Sequence, residues 1–200
     1  MDTDMEKWRH GDLYDAHAPY FRKQKEVANR FLNAYNQTDY ADTESRTRLL
    51  KGNLGAVGDY VTVGTPFLCD FGNNIYLGSK ISINMNCSFM DSGKITIGDE
   101  TMVAPNVQIY TGTHPIAASE RLNPGWEHHK NQHFVMTRSL PVKVGRRCWI
   151  GGGVIILPGV TIGDNTVIGG GSVVTKDIPS NVVAVGNPCH VLRKIEADNY

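Results

Sequence analysis

The sequence has 200 residues with 20 basic and 20 acidic side chains, so its formal net charge is zero. This balance removes the bulk electrostatic argument for binding nucleic acid or an anionic membrane surface. Hydrophobic residues make up 40% of the chain and charged residues 20%, which is typical of a globular protein that needs no disulfide or metal to hold its core. Glycine is enriched, at 21 residues, and predicts many sharp turns.

Signals for export or for redox chemistry are lacking in the sequence. No apolar run approaches the ~18 residues that a membrane-spanning helix needs. The first residues lack an apolar stretch followed by a small-residue cleavage site, which predicts a cytoplasmic protein. Four widely spaced cysteines without a C-x-x-C pair favour buried, reduced thiols: Cys69, Cys87, Cys148 and Cys189.

The first segment, residues 1–54, is predicted to be helical. Apolar side chains between Tyr20 and Tyr35 follow a period of 3.6 and predict one apolar face, made of Tyr20, Phe21, Val27, Phe31, Leu32 and Tyr35. The polar residues 36–39 end this pattern. A second short helix is predicted from Asp42 to Leu54, with Asp42 or Thr43 as its N-cap.

A period of six residues replaces the helical period after Gly55. Its clearest run consists of β-branched residues at every sixth position, namely Val144, Ile150, Ile156, Ile162, Ile168 and Val174. Glycine directly follows four of these six residues, and a small or apolar residue lies four places after each of the six. A chance run of this length has a probability on the order of 10⁻³, so we interpret it as a true repeat.

The same period runs through two earlier blocks. The first contains Leu77, Ile83 and Phe89, and the second contains Ile97, Val103 and Ile109. Eight residues separate Phe89 from Ile97, so the register slips by two near Asp91 and Ser92. Val57 and Val63 are interpreted as a first, less regular coil.

These hexads predict a mainly β fold, a parallel β-helix of triangular section over residues 55–190. Each side of the triangle is a short strand, three strands make a coil of eighteen residues, and the aliphatic of each hexad points to the axis. Small residues follow the aliphatics because the chain turns at each corner. Residues 191–200 are predicted to be a C-terminal tail.

One long excursion interrupts the repeat, at about residues 113–141. It contains no aliphatic hexad but carries four of the seven histidines, including His114 at its start. Loops of this length in a compact domain are usually functional, so we expect the chemistry to lie near it.

Several motifs together resemble those of the maltose and galactoside O-acetyltransferases, a family of hexapeptide-repeat acyltransferases. The resemblance covers nearly the whole chain and is most specific where His-Pro follows the end of a coil and Trp-Ile-Gly returns after the loop. The segments that carry it are GDLY (11–14), CDFGNNI (69–75), APNV (104–107), TGTHP (111–115), CWIGG (148–152), PGVTIGDN (158–165), VTKDIP (174–179) and GNPC (186–189).

The resemblance implies a left-handed β-helix and a homotrimer with active sites between neighbouring subunits. It further implies transfer of an acetyl group from acetyl-CoA to a sugar hydroxyl, without a metal. His114 matches the catalytic base of the family, since an imidazole can take the hydroxyl proton near neutral pH. A loop glutamate orients this base in the family, and Glu127 is the nearest candidate, with a solvated glutamate as the alternative.

The resemblance also suggests residues that bind the acceptor. Asp70 and Asn84 match positions that line the acceptor pocket, although Asn84 also falls in the small-residue column and could be a corner residue. An acceptor-binding carboxylate of the family falls near the register slip, where either Asp91 meets it or Ser92 has replaced it. Acidic and amide side chains suit this role because they hydrogen-bond paired hydroxyls.

Six residues match the coenzyme A segments of the family: Trp149, Gly152, Thr175, Lys176, His190 and Arg193. A backbone N–H beside Gly152 is a candidate oxyanion donor. Gly152 stands where some relatives have serine, and His190 stands where a phosphate-binding arginine is common. Because histidine titrates and arginine does not, the second change predicts weaker coenzyme binding as pH rises.

Other functions stay open at this point. One keeps the chemistry but changes the acceptor to an antibiotic, an amino sugar or a serine-type hydroxyl. Another uses the β-helix without acyl transfer, as a zinc lyase of the γ-carbonic-anhydrase kind or as a trimeric scaffold. The lyase would need at least three histidines on a metal, and His128, His129 and His133 lie together in the loop.

Overall fold

A computed structural model describes residues 3–127, 130 and 132–196, and over this range the chain is mainly β-strand. Short strands stack in parallel into a solenoid, preceded by helices and interrupted by one excursion. The fold class predicted from the six-residue period is therefore confirmed. None of the helices in the described part of the chain is long and apolar enough to cross a bilayer.

Three helices precede the solenoid: α1 (Thr3–His10), α2 (Pro19–Asn36) and α3 (Thr43–Asn53). The α2 helix buries Phe21, Phe31 and Tyr35, as its period predicts, but Val27 on the predicted face is 37% exposed. Asp42 caps α3, because its carboxylate accepts a hydrogen bond from the Ser45 N–H at 3.0 Å. A one-turn helix, α4 (Ala118–Arg121), lies in the excursion.

The strands before the excursion form three coils. The first coil contains β1 (Ala56–Val57), β2 (Thr62–Val63) and β3 (Phe67–Cys69). The second contains β4 (Ile75–Leu77), β5 (Ser82–Ile83) and β6 (Cys87–Met90). The third contains β7 (Ile95–Ile97), β8 (Met102–Val103) and β9 (Gln108–Tyr110).

The chain leaves the solenoid through β10 (Gly112–Thr113) and returns through β11 (Arg138–Ser139), which pair antiparallel. The fourth coil contains β12 (Val142–Val144), β13 (Trp149–Ile150) and β14 (Ile155–Ile156). The fifth contains β15 (Thr161–Ile162), β16 (Val167–Ile168) and β17 (Val173–Val174). The last strands are β18 (Val182–Val185) and β19 (His190–Lys194), which pair antiparallel.

Each side of the triangle is one parallel sheet. Sheet 1 has the order β1-β4-β7-β12-β15, sheet 2 has β2-β5-β8-β13-β16-β18 with β19 on its edge, and sheet 3 has β3-β6-β9-β14-β17. The hexad aliphatics from Val144 to Val174 are each at most 1% exposed and point to the axis. Strands of only two or three residues are thus held in place by a continuous stacked core.

The predicted coil length is wrong for the first three coils. Residues that stack there are twenty apart, as Val63 and Ile83 show, whereas Ile150 and Ile168 in the later coils are eighteen apart. The two extra residues lie at the corner between sheets 3 and 1, after β3 and again after β6. The register slip near Asp91 is therefore a repeated feature of the early coils.

A buried carboxylate holds the enlarged corner that follows β3. The side chain of Asp91 is fully buried and accepts the backbone N–H groups of Asp70, Phe71 and Asn74 at 2.8 to 3.2 Å. The Asn74 side chain returns a hydrogen bond to the Asp91 carbonyl at 2.8 Å. Burial raises the pKa of Asp91 to about 6 against the opposing effect of these N–H donors.

The N-terminal segment packs against the base of the excursion. Tyr14 and Thr137 exchange two backbone hydrogen bonds at 2.9 and 3.0 Å. The indole N–H of Trp8 donates to the Ser92 carbonyl at 2.7 Å, and an aromatic cluster of Trp8, Tyr14, Tyr20, Phe21 and Phe71 fills the junction. Segments far apart in the chain therefore meet where the excursion leaves the solenoid.

Candidate active site

A cavity of about 270 Å³ opens at this junction, and we call it the His114 cavity. Its polar lining comes from α2 and the turn before it, from the end of β9, from the corners after β3 and β6, and from the excursion: His17, Lys25, Asp70, Ser92, Tyr110, His114, His133 and Thr137. Residues of the excursion thus line the same cavity as polar groups that the coils present.

The hydrogen bond of His114 fixes which ring nitrogen is free. Nδ1 of His114 lies 2.8 Å from the carbonyl oxygen of Met136. A carbonyl only accepts, so Nδ1 carries the proton and Nε2 retains its lone pair. The exposed ring is therefore prepared to act as a base through Nε2.

Glu127 makes a different contact from the one that the resemblance implies. Its carboxylate pairs with the Lys130 ammonium at 2.6 Å. The Met136 carbonyl, which no pattern in the sequence singled out, accepts the Nδ1 proton of His114 instead. A role for Glu127 in orienting the base stays a prediction.

Three polar residues near the register slip have distinct positions. Asp70 and Ser92 both line the His114 cavity, and the Ser92 hydroxyl donates to Asp70 Oδ2 at 2.9 Å. Asp91 does not line it, since its carboxylate is buried behind them on backbone N–H groups. The carboxylate that reaches the cavity from these corners is therefore Asp70.

His17, which the sequence did not single out, lines the cavity beside His133, and Asp15 binds the backbone of His133. The His17 and His133 rings make an edge contact, with centroids 4.2 Å apart. The backbone N–H of His133 donates to both carboxylate oxygens of buried Asp15 at 3.1 Å. Burial and the neighbouring His133 lower the pKa of His17, which favours its neutral form.

Long-range contact is the reason why these residues were missed. Asp15 and His133 are 118 positions apart, and no periodic pattern links a helix entry to a loop. The signal available was the motif at residues 11–14, which directly precedes Asp15. The motif marks the segment that contacts the loop without revealing the loop residue that it contacts.

Comparisons with known proteins fit this arrangement. Residues 7–58 match the maltose acetyltransferase hexapeptide capping motif, and residues 141–176 match the bacterial transferase hexapeptide model of six repeats. A putative acetyltransferase of Saccharomyces cerevisiae is 44% identical over 92% of this chain and 89% of its own. The chain belongs to the maltose and galactoside O-acetyltransferase family.

Solved structures agree with the family assignment. A maltose O-acetyltransferase from Clostridium difficile 630 superposes with a TM-score of 0.89 at 46% identity, covering 97% of this chain and 98% of that one. A galactoside acetyltransferase in complex with coenzyme A superposes with a TM-score of 0.87 at 36% identity, covering 96% of this chain and 91% of that one. Both are hexapeptide-repeat acetyltransferases of the same family.

The residues matched to the family's site lie at two different corners of the triangle. Asp70, Ser92, Thr175 and Lys176 follow sheet 3, where His114 also leaves the solenoid. Asn84 and Gly152 follow sheet 2, and Trp149 lies within it. The two corners are separated by sheet 3, which is about 13 Å wide for a four-residue strand such as β6.

Asn84 in particular does not line the His114 cavity. It borders a larger cavity on the sheet 2 side, and its side-chain oxygen accepts the Met85 N–H at 2.8 Å. This contact is local to the corner after β5, and the acceptor role of Asn84 stays a prediction. Within one chain, the family's acceptor position at Asn84 is thus remote from the base.

The positions matched to coenzyme A are exposed on the later coils and on β19. Trp149 is 52% exposed, and Thr175, Lys176, His190 and Arg193 are also exposed. Thr175 lies two rungs, about 10 Å, along the edge of sheet 3 from Tyr110 of the His114 cavity. Gly152 is exposed at its corner, and a side chain placed there would meet no atom closer than 3.4 Å to its Cβ.

The histidines of the loop show no shared metal geometry in the described part of the chain. No group of three or more His, Cys, Asp or Glu side chains within residues 3–127, 130 and 132–196 is arranged to hold a metal ion. His128 and His129 lie outside the described residues. The four cysteines are free and buried, as predicted, and burial raises the pKa of Cys69 far above its usual value.

Proposed function

We propose that this protein transfers an acetyl group from acetyl-CoA to a hydroxyl of a sugar or sugar-like acceptor, with His114 as general base. The observation that carries the proposal is the His114 ring, whose Nδ1 donates to the Met136 carbonyl at 2.8 Å in a polar cavity. Coenzyme A in a complex of a family member supports the choice of acyl donor.

The reaction balances with a single proton shuttle. His114 Nε2 takes the proton of the acceptor hydroxyl as its oxygen attacks the thioester carbonyl. The C–O bond forms, the C–S bond breaks, and the imidazolium returns the proton to the leaving thiolate. The Met136 carbonyl stabilises the imidazolium because it holds the Nδ1 proton throughout.

Asp70 and Ser92 are proposed to bind the acceptor. Asp70 Oδ2 already accepts from the Ser92 hydroxyl, so Oδ1 is the oxygen left for an acceptor hydroxyl. Lys25 and the neutral His17 add a donor and a second hydrogen-bonding edge in the same cavity. A mixture of acceptors and donors around a small space suits a polyhydroxylated molecule.

We further propose a trimer with each site formed by two copies. The division of the matched residues between two corners supports it, because a second copy can place its sheet 2 corner beside the His114 cavity. Asn84, Trp149 and Gly152 would then come from the partner copy. Thr175, Lys176, His190 and Arg193 are proposed to contact coenzyme A, with Lys176 and Arg193 meeting its phosphates.

Substitution of the base tests the proposal. The His114→Ala variant is expected to lose about 10²- to 10⁴-fold in turnover, since it removes general-base catalysis. Release of free thiol from acetyl-CoA is measured with maltose, glucosides and galactosides, and with amino sugars and antibiotics as competing acceptor classes. Unchanged melting temperature and coenzyme A affinity show that the fold is intact. Wild-type turnover in the variant would contradict the proposal.

A further inference from the structure

A second cavity, of about 550 Å³, contains a buried cation outside the proposed acetyl-transfer chemistry. It lies between helices α2 and α3 and the sheet 2 side of the first two coils, and we call it the Arg46 cavity. Its floor is buried, formed by Tyr35, Leu50, Val63 and Ile83, and its rim is exposed at Tyr40 and Met85. Its volume falls within the ~300–1,000 Å³ range of small-molecule pockets.

Among the residues that the structure describes, Arg46 is the one charged member of the lining of this cavity. It is 9% exposed, and none of the described residues places a carboxylate within 4.0 Å of its guanidinium. A buried charge without a counter-ion is unfavourable, because burial removes solvation that no opposite charge replaces. The cavity therefore has a position at which a negative charge is electrostatically favoured.

Neutral partners hold the guanidinium without using all of its donors. Nη1 donates to Thr38 Oγ1 at 2.9 Å, and Nη2 donates to the Tyr35 hydroxyl and to the Val63 carbonyl. Nε of Arg46 has no acceptor among the described residues. It is not a fully buried atom either, because in that part of the chain the one fully buried side-chain polar atom without a partner is Gln132 Oε1. The Nε–H is thus a guanidinium donor that no described residue uses.

The rest of the lining indicates an amphipathic ligand. Leu50, Val61 and Met85 supply apolar surface, while hydroxyl groups come from threonines and a serine around it. One cation balances one negative charge, so a monoanion fits better than a phosphate dianion. Carboxylate accepts hydrogen bonds from guanidinium and hydroxyl groups, and a short hydrocarbon body would cover the apolar floor.

We propose that the Arg46 cavity binds a small amphipathic monocarboxylate, with its carboxylate at Arg46 and its apolar body against Leu50, Val61 and Met85. Neither His114 nor Asp70 lines it, although Asn84, which borders its rim, is proposed above to reach the acetyl-transfer site of a neighbouring copy. The proposal does not depend on the identity of the acetyl acceptor.

Calorimetric titration of the full chain with hexanoate tests the site. Hexanoate is expected to bind at one site per chain, while the neutral hexanamide and the short acetate bind at least tenfold more weakly. Arg46→Gln is expected to weaken hexanoate binding at least tenfold. Arg48→Gln, which changes an exposed arginine of the same helix outside the lining, is expected to leave it unchanged.

A second variant keeps the test decisive if Arg46→Gln fails to fold. Thr47 is exposed on α3 and lines the cavity, so Thr47→Trp should fill it and abolish binding. Glu44→Trp places the same ring on the same helix outside the lining and should bind normally. The His114→Ala variant should also bind normally, which separates this site from the acetyl-transfer site. Absence of hexanoate binding up to about 10 mM, equal binding of hexanamide, or full binding by Thr47→Trp would overturn the proposal.

Discussion

Two aspartates close in space have opposite roles in this protein. Asp70 carries a carboxylate oxygen into the His114 cavity, whereas the Asp91 carboxylate binds three backbone N–H groups. Sequence alone placed both near an acceptor-binding position and could not separate them. Burial separates them, because Asp91 is fully buried and Asp70 is not.

Asp70→Asn is expected to weaken acceptor binding selectively. Loss of a charged hydrogen-bond acceptor costs about 1.5–3 kcal/mol, or roughly 10- to 100-fold. The KM for the acetyl acceptor should rise by this factor, while the KM for acetyl-CoA stays unchanged. Steady-state kinetics with each substrate varied in turn give both values, and an equal rise in both would contradict the assignment.

The raised pKa of Asp91 predicts that the stability of the folded protein depends on pH. Its folded pKa of about 6 lies above the ordinary value of 3.8, so the folded chain holds this proton more tightly than the unfolded chain. The contribution of this group to the free energy of unfolding is therefore greatest below pH 4 and is lost as pH rises through 6. The loss amounts to at most about 3 kcal/mol.

Comparison with Asp91→Asn isolates that contribution. The free energy of unfolding of the wild type minus that of the variant should fall between pH 4 and 6 and stay flat above pH 7. Denaturant unfolding at a series of pH values measures both proteins. A difference that does not change across this range would show that the Asp91 pKa is not raised.

At the scale of single elements, the residues at the corners decide how closely neighbouring coils stack. A Cβ added at Gly151 would lie 2.5 Å from the Gly170 nitrogen of the next coil, a contact with rigid backbone. At the neighbouring Gly152, the nearest atom to an added Cβ is the Pro105 carbonyl oxygen at 3.4 Å. Adjacent glycines in one triplet thus serve different purposes, close stacking at the first and an exposed turn at the second.

Alanine at these two positions should have unequal effects. Gly151→Ala is expected to destabilise the fold by about 1–3 kcal/mol, because overpacking forces the backbone of two coils apart. Gly152→Ala should cost less than about 1 kcal/mol, since its neighbour needs to move little or not at all. Thermal or denaturant unfolding of both variants measures the difference, and equal losses would contradict this account of the corner.

The whole molecule determines whether the matched site residues can meet. His114 follows sheet 3 and Asn84 follows sheet 2, so a single solenoid keeps them on different corners. Copies related by rotation can bring unlike corners together, as a heterologous interface does in a closed ring. The proposed active site is therefore a property of the assembly.

Mixing of inactive variants tests the shared site. His114→Ala and Asn84→Ala are each expected to have low activity as homo-oligomers. After unfolding and refolding together in equal amounts, about a quarter of the sites should pair an intact His114 with an intact Asn84 from another copy. Thiol release measures the recovery. Activity no greater than that of the separate variants would contradict a site formed by two copies.

The periodic sequence predicted the body of the fold because each hexad aliphatic has a local reason to be buried. Val144, Ile150 and the residues that continue their series occupy the axis whatever the ends of the chain do. The same local reasoning found the excursion and placed His114 at its start. It also offered Asp42 as one of two candidate caps, and this cap depends on a residue three positions away.

Tertiary structure alone decided the contacts between distant segments. The carbonyl that holds His114, the Asp15 carboxylate that binds His133 and the burial of Asp91 join residues between 17 and 118 positions apart. The extra residues after β3 are likewise explained only by the backbone N–H groups that converge on one carboxylate. A period records which side chains face the axis, but hydrogen bonds across the chain depend on how its segments are placed together.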